Sequence, residues 1–471
     1  MEIIHISAEC YPVAKAGGLG DVVGALPKYQ QKLGHIAKVV MPMYRTKFLE
    51  QNEWEVDGTG SAYLGDWNFQ YTIIREKTNK LGFNLYLVDI HGLLDREKIY
   101  GYDDDPQRFI AFQIAVLDWL KQWHHLPDII HCHDYHAGFV PFMLKYCIGY
   151  RSLSNIRSVI TIHNAQYQGW LGWDKSHFIP EWDPWKSGML DWNDTINPLA
   201  SAIKCADKIT TVSWSYLEEL RYSANGLENL FEYEKGKSVG ILNGIDADVW
   251  DPATDSYITN RFSVAGVTRG KAANKKVLCK EYGLDSKLPL VVFIGRLVGE
   301  KAADILADSI LAALYALQGN MCFLVLGSGD PHVEWQLTTI TDRFADRYNV
   351  VIGYNEQLSH QMYAGADFLL MPSRVEPCGL NQMYAMRYGT VPVVRSTGGL
   401  RDTVIDMGDE GGYGIRFNHA SVDDVRYSLE RAAEVYADKK KMSAMRKTMM
   451  QVDNSWDRSA QQYMEVYESL L

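Results

Sequence analysis

Short apolar runs of strand length alternate along this chain with longer stretches in which apolar residues recur every three or four positions. In the first half the runs fall at residues 3–7, 37–41, 85–88, 129–131 and 159–162. The rhythm restarts at 290–294 and continues through 321–326, 350–352, 368–371 and 391–394. Strand-length runs separated by segments of helical period mark βαβ units, so the pattern predicts parallel sheets with helices on both faces. Two doubly wound α/β domains explain two such series better than one giant sheet does.

The break falls near Ile241-Leu242-Asn243-Gly244-Ile245-Asp246, where a short apolar strand meets an Asn-Gly turn ahead of Asp251-Pro252. A chain of 471 residues also exceeds the roughly 250–300 residues at which a single core stops growing. The reading is a first domain over residues 1–243, a second over 244–455, and a terminal helix over 456–471, where Trp456, Tyr463, Val466 and Tyr467 keep helical spacing. Ligands of open α/β sheets bind beyond the carboxyl ends of the strands, so two such domains facing each other would hold the site in a cleft between them. No fixed-period repeat or low-complexity tract suggests a solenoid or a linker-rich scaffold.

Composition acts mainly by exclusion. Hydrophobic residues make up 47% and charged residues 22%, which fits a soluble globular protein. A formal charge of -11 without a run of Lys and Arg argues against a nucleic-acid surface, while leaving room for a local basic pocket. The seven cysteines are scattered and never form Cys-x-x-Cys, which favours reduced thiols and the cytoplasm. Glu2 stands where a signal peptide would carry basic residues, and no apolar run approaches the roughly 18 residues of a membrane helix. The expectation is a soluble intracellular protein with neither membrane nor nucleic acid among its partners.

Three stretches carry chemistry. Lys15-Ala16-Gly17-Gly18-Leu19-Gly20 follows the first strand and opens into helical period; its glycines let backbone amides approach an anion at a helix N-terminus, and Lys15 adds a point charge. It matches neither Gly-x-Gly-x-x-Gly nor a phosphate loop ending in Gly-Lys-Ser/Thr. Gly295-Arg296-Leu297-Val298-Gly299-Glu300-Lys301 lies where the first strand of the second series ends, so Arg296 and Lys301 can converge on a diphosphate. Pro372-Ser373-Arg374-Val375-Glu376-Pro377-Cys378-Gly379-Leu380-Asn381 again joins a strand to a helix. There Gly379 and Leu380 would offer amides to phosphate, and Glu376 can accept hydrogen bonds from vicinal sugar hydroxyls.

Together with five further motifs these stretches resemble the bacterial glycogen synthase and plant starch synthase family, which has the two-domain GT-B architecture of paired Rossmann-like domains. The further motifs are His-Asp-x-His-Ala-Gly from His133, His-Asn-x-x-Tyr-Gln-Gly from His163, Leu-Asn-Gly-Ile-Asp from Leu242, Leu-Gly-x-Gly-Asp-Pro from Leu326 and Thr-Gly-Gly-Leu-x-Asp-Thr-Val from Thr397. They run in family order over nearly the whole chain. The resemblance implies transfer of glucose from a nucleotide-glucose donor, favouring ADP-glucose over UDP-glucose, to the non-reducing end of an α-1,4-glucan with retention of configuration. Lys15, Gly17 and Gly18 would meet the donor phosphates or the transferred glucose, and Arg296 and Lys301 the diphosphate. Asp134, His163, Asn243 and Glu376 would line the glucose subsite, Tyr354 would stack on the base, and Gly379 and Leu380, beside Cys378, would bind phosphate. Lys15, His163, Arg296, Lys301 and Glu376 are the residues to which the resemblance assigns catalysis. In this family the terminal helix packs back on the first domain.

Three positions depart from the commoner pattern: Ala16, the pair Ala302-Ala303 where Gly-Leu is usual, and Asn381 where Thr is frequent. The first two touch packing more than chemistry, whereas Asn381 could alter donor affinity. No cofactor is expected beyond the donor substrate. His131, His133 and His136 could be read as metal ligands, but they belong to the motif just matched, and Arg, Lys and helix N-termini already supply the positive charge a metal would bring. A GT-B enzyme with a sucrose or lipid acceptor would keep the phosphate residues. A non-catalytic glucan binder would keep Trp170, Trp173, Trp182 and Trp185 while tolerating loss of Lys15 or Glu376. The presence of those charges favours catalysis.

Overall fold

Ile3, Ile4 and Ile6 have no exposed surface because β1 (Glu2–Ile6) runs through the middle of a nine-stranded sheet. Its companions are β2 (Ile36–Pro42), β3 (Trp54–Leu64), β4 (Trp67–Glu76), β5 (Asn84–Asp89), β6 (Ile129–His133) and β7 (Arg157–Ile162). A two-residue ribbon, β8 (Asp191–Trp192) with β9 (Thr195–Ile196), stands apart, and β10 (Lys208–Thr211) and β11 (Ser238–Gly240) complete the sheet in the order 11-10-7-6-1-2-5-4-3. A second sheet, wholly parallel, comprises β12 (Leu290–Ile294), β13 (Cys322–Gly327), β14 (Tyr348–Ile352), β15 (Phe368–Met371), β16 (Val391–Arg395) and β17 (Ile415–Phe417) in the order 14-13-12-15-16-17. These are the two α/β sheets that the apolar rhythm predicts. The computed structural model describes every residue from Met1 to Leu471.

One element differs from an all-parallel expectation. β3 and β4 pair antiparallel with each other, and β4 pairs antiparallel with β5. β3 lies at the edge and exposes alternate residues, among them Val56 and Tyr63. Strands half in water mix polar with apolar residues and give no continuous apolar run.

The chain falls into two compact units, Met1–Asn243 with Trp456–Leu471, and Gly244–Ser455. Trp456, Ala460, Tyr463, Met464 and Tyr467 lie on one face of the terminal helix Trp456–Glu468 and share a core with Ile3, Val22, Leu26, Tyr29, Ile129, Val159 and Ile241. Ser459 Oγ donates to the Leu242 carbonyl at 2.6 Å. No helix is long and apolar enough to cross a membrane.

Strand order locates the binding ends. In the first sheet β2 and β5 lie on one side of β1, and β6, β7, β10 and β11 on the other, so the order reverses between β1 and β6. In the second the reversal lies between β12 and β15. Loops leaving the carboxyl ends of strands at such a reversal diverge and leave a crevice where ligands bind.

Candidate functional site

In the second unit, the loops after β12 and β15 leave from either side of the reversal and lock together. Lys301 Nζ donates to both carboxylate oxygens of the buried Glu376, at 2.7 and 2.6 Å, and Ser373 Oγ donates to Glu376 Oε2 at 2.9 Å. The amides of Arg374 and Val375 donate to the Glu300 carbonyl at 2.8 and 3.2 Å, and the Arg374 guanidinium reaches Gly299 O and Asp304. Arg296 stays 56% exposed and only loosely paired, its Nη2 3.7 Å from Glu300 Oε2. Its charge remains available to a ligand.

Gly379 takes φ +78°, which a side chain resists. The amides of Gly379 and Leu380 donate no hydrogen bond within the chain, as expected at a helix N-terminus, where the first N–H groups lack intrahelical partners. The helix Asn381–Arg387 follows. Cys378 is buried, and the Tyr354 ring is 83% exposed. Asn381, the departure that could alter donor affinity, is anchored through its amide: its Nδ2 donates to the Ile294 carbonyl at 2.7 Å, tying the helix to the end of β12. Ala302, where glycine is usual, has φ +55° and ψ +34°. This departure therefore touches the backbone, at a cost of about 1–2 kcal/mol for a residue carrying Cβ.

The Thr-Gly-Gly motif, to which the sequence assigns no role, supports this loop. Gly399 N donates to the carbonyls of Glu376 and Pro377, both at 3.1 Å. A Cβ at Gly399 would sit 2.0 Å from Cys378 O. Gly399→Ala is therefore expected to displace the Glu376–Gly379 backbone and to cut the glucosyl transfer that the resemblance implies at least tenfold while leaving circular dichroism native. Unchanged kinetics would show that the loop's position does not matter.

In the first unit, the loop after β1 holds the Gly-rich turn. Glu9 Oε2 accepts from the amides of Ala16 and Gly17, at 2.7 and 3.1 Å, and its Oε1 accepts from Tyr100 at 2.5 Å. The Gly17 amide is thus committed to Glu9, leaving those of Gly18 and Leu19 at the start of the helix Gly18–Lys32 without partners in the chain. Lys15 Nζ pairs with Asp21 at 2.7 Å, its side chain 40% exposed. The sequence reading missed Glu9; a carboxylate a few residues past a strand end and just before a glycine pair was the available signal.

Across the reversal, β6 ends at His133 and Asp134 adopts φ +57° with ψ −174°, a region otherwise populated by glycine and costing about 1–3 kcal/mol. The conformation turns its buried carboxyl to accept the His163 amide at 2.7 Å, and burial raises its pKa to about 7. His163 is buried and its ring pKa is lowered to about 3 by desolvation. Asn243 is buried and its Oδ1 has no partner, an unsatisfied acceptor of the kind that binding sites retain.

His5, His131 and His133 bring ring nitrogens within 4.8 Å of one another, whereas His136 instead stacks on Tyr100. Every nitrogen of the three clustered rings already has a partner: Gln30 and His133 for His5, Tyr467 and Thr161 for His131, His5 and His163 for His133. The cluster is a hydrogen-bond network.

Two doubly wound sheets with anion-ready loops at their reversals define a glycosyltransferase of GT-B architecture. Residues 2–233 match the starch synthase catalytic domain family and residues 288–433 the glycosyl transferases group 1 family. A glycogen synthase of Flavobacterium johnsoniae is 51% identical over all of this chain and 99% of its own length, and one of Streptococcus agalactiae is 36% identical over the full length of both. The catalytic domain of starch synthase IV from Arabidopsis thaliana, bound to ADP and acarbose, superposes with a TM-score of 0.88 at 34% identity, covering 100% of this chain and 99% of that one. A sucrose-phosphate synthase from Thermosynechococcus elongatus, at TM-score 0.65 and 17% identity over 100% and 98% of the two chains, bears on the fold alone. The chain belongs to the glycogen synthase family.

Proposed function

We propose that the protein transfers glucose from ADP-glucose to the non-reducing end of an α-1,4-glucan with retention of configuration, using no metal and no cofactor. The observation that carries this reading is the Lys301–Glu376 pair at the reversal of the second sheet, with unpartnered amides at Gly379 and Leu380. Cation, carboxylate and helix N-terminus suit a diphosphate joined to a sugar. The full-length likeness to an enzyme bound to ADP supports adenine, for which Tyr354 supplies a stacking face. Asp134, His163, Asn243 and Glu376 take the glucose, and Lys15, Arg296 and Lys301 the phosphates. The seven cysteines are free and buried, which fits a reducing cytoplasm.

In the proposed step the bond between glucose C1 and the phosphate oxygen breaks and ADP departs with the electron pair. The acceptor hydroxyl bonds to C1 on the same face and passes its proton to the departing phosphate. Fixed positive charge stabilises the anion as it forms. Glucose incorporation into glycogen, measured side by side with ADP-glucose and UDP-glucose, is expected to favour ADP-glucose by at least tenfold in kcat/KM. Equal or reversed preference would overturn the choice of donor, and no incorporation from either would overturn the reading itself.

A further inference from the structure

We propose that a chain of hydrogen bonds from Gln30 through His5 and His133 fixes the tautomer of His163, so that this ring offers an acceptor at Nδ1. Gln30 and Tyr467 are then positioning residues, acting on the site through three rings. The inference rests on the reading that His163 lines the glucose subsite.

The argument follows the hydrogens. Gln30 Oε1 lies 2.8 Å from His5 Nε2, and a carbonyl oxygen only accepts, so His5 carries its hydrogen on Nε2. A neutral imidazole has one N–H, which leaves His5 Nδ1 as acceptor; at 3.0 Å from it, His133 Nε2 must donate. By the same step His133 Nδ1 accepts, and His163 Nε2, 3.0 Å away, donates. His163 Nδ1 keeps its lone pair and has no partner within the chain. Burial holds His5 near pKa 4 and His163 near 3, so these rings are neutral at neutral pH and the one-hydrogen count applies.

The polarity is decided at Gln30. Its amide Nε2 donates to the Tyr467 hydroxyl at 3.1 Å, and that hydroxyl lies 2.6 Å from His131 Nδ1. His131 Nε2 in turn meets Thr161 Oγ1 at 2.5 Å, and Thr161 Oγ1 meets Thr210 Oγ1 at 2.5 Å. Turning the amide over would put a donor against His5 and reverse every hydrogen as far as His163, moving its proton to Nδ1. An Nδ1 lone pair accepts from a sugar hydroxyl and repels a phosphate oxygen, whereas an Nδ1–H donates to either oxygen and no longer discriminates against phosphate. The amide thus selects which chemistry His163 can face.

The test is nitrogen-15 NMR of the histidine rings in the full-length, unliganded protein, with resonances assigned by single His→Gln substitutions. His163 is expected as the Nε2–H tautomer, with an unprotonated Nδ1. Gln30→Leu removes the acceptor that biases the chain and is expected to mix the tautomers and lower kcat/KM about tenfold, chiefly through KM, as befits a lost ground-state hydrogen bond. A wild-type His163 protonated at Nδ1 overturns the proposal, and this spectrum decides even if Gln30→Leu does not fold. So does a folded Gln30→Leu protein with the wild-type tautomer. Parallel assay of His163→Ala separates the premise: the expected tautomer with undiminished kcat/KM in that variant supports the chain and removes His163 from the glucose subsite.

Discussion

Lys301→Ala is expected to lower turnover with ADP-glucose and glycogen by about a hundredfold or more, the scale seen when a group stabilising a developing anion is removed. Two effects combine in this variant. On the proposed assignment the leaving diphosphate loses a fixed charge, and buried Glu376 loses its ion partner, keeping only the Ser373 hydroxyl of the three hydrogen bonds it accepts from side chains. Breaking a buried pair by removing one partner typically costs 3–5 kcal/mol, so a fall in thermal stability should accompany the fall in rate. Arg296→Ala and Lys15→Ala separate the two terms, because both side chains are substantially exposed and their removal strands no buried charge. These two are expected to lose turnover on a similar scale with native stability. Near-normal rates in all three variants, measured by glucose incorporation, would remove the assignment of these cations to the phosphates.

The protein is also expected to unfold steeply on mild acidification. Burial lowers His5 to about pKa 4, His136 and His163 to about 3, and His131 and His133 well below their ordinary value of 6.5. Each therefore stays neutral in the folded chain at pH values where the unfolded chain has taken up a proton. Their contribution is fully present above pH 6.5 and is lost as pH falls through the window from 6.5 toward 4. Each proton bound only by the unfolded state tilts stability by about 1.4 kcal/mol per pH unit. Asp134 works in the opposite sense, since its raised pKa of about 7 stabilises the folded chain below pH 4 and loses that contribution as pH rises to 7. One carboxyl opposes five imidazoles, and a total stability of about 5–15 kcal/mol is exhausted within a few pH units. Urea midpoints followed by circular dichroism at pH 7.5, 6.5 and 5.5 should drop sharply below 6.5. A flat profile would mean that these rings take up protons without unfolding.

Much of the fold was legible because strands buried on both faces must be apolar. β1, β12, β13, β15 and β16 announce themselves in this way, and with them the two doubly wound sheets, whereas the GT-B class came with the motif resemblance. β3 and β4 were illegible for the converse reason, since half-exposed strands look like any polar stretch; β10, Lys-Ile-Thr-Thr, carries no apolar run, and β17 has only three residues. The site reads differently. Motif order pointed to the loops after β12 and β15, where Lys301 and Glu376 are bonded, but spacing carries no information about which amide a carboxylate will claim, so the commitment of Gly17 N to Glu9 was invisible. The histidines of β6 were visible and read against a metal. Their link to His5 and Gln30 needed strand order, because parallel pairing of β1 with β6 sets His5 beside His131 in register, and to Tyr467 it needed a helix 336 residues beyond His131.

That distant helix bears on biogenesis. The core containing Ile3, Val22, Leu26, Tyr29, Ile129 and Val159 is closed by Trp456, Tyr463, Met464 and Tyr467, yet all of Gly244–Ser455 is translated in between. At synthesis rates of 5–20 residues per second the nascent chain waits roughly 10–40 s with this apolar face uncovered. The second unit, contiguous in sequence, needs no residue made after Ser455 to close its core. The unit made first is the one finished last, and during that interval its open face is a surface for chaperones to shield.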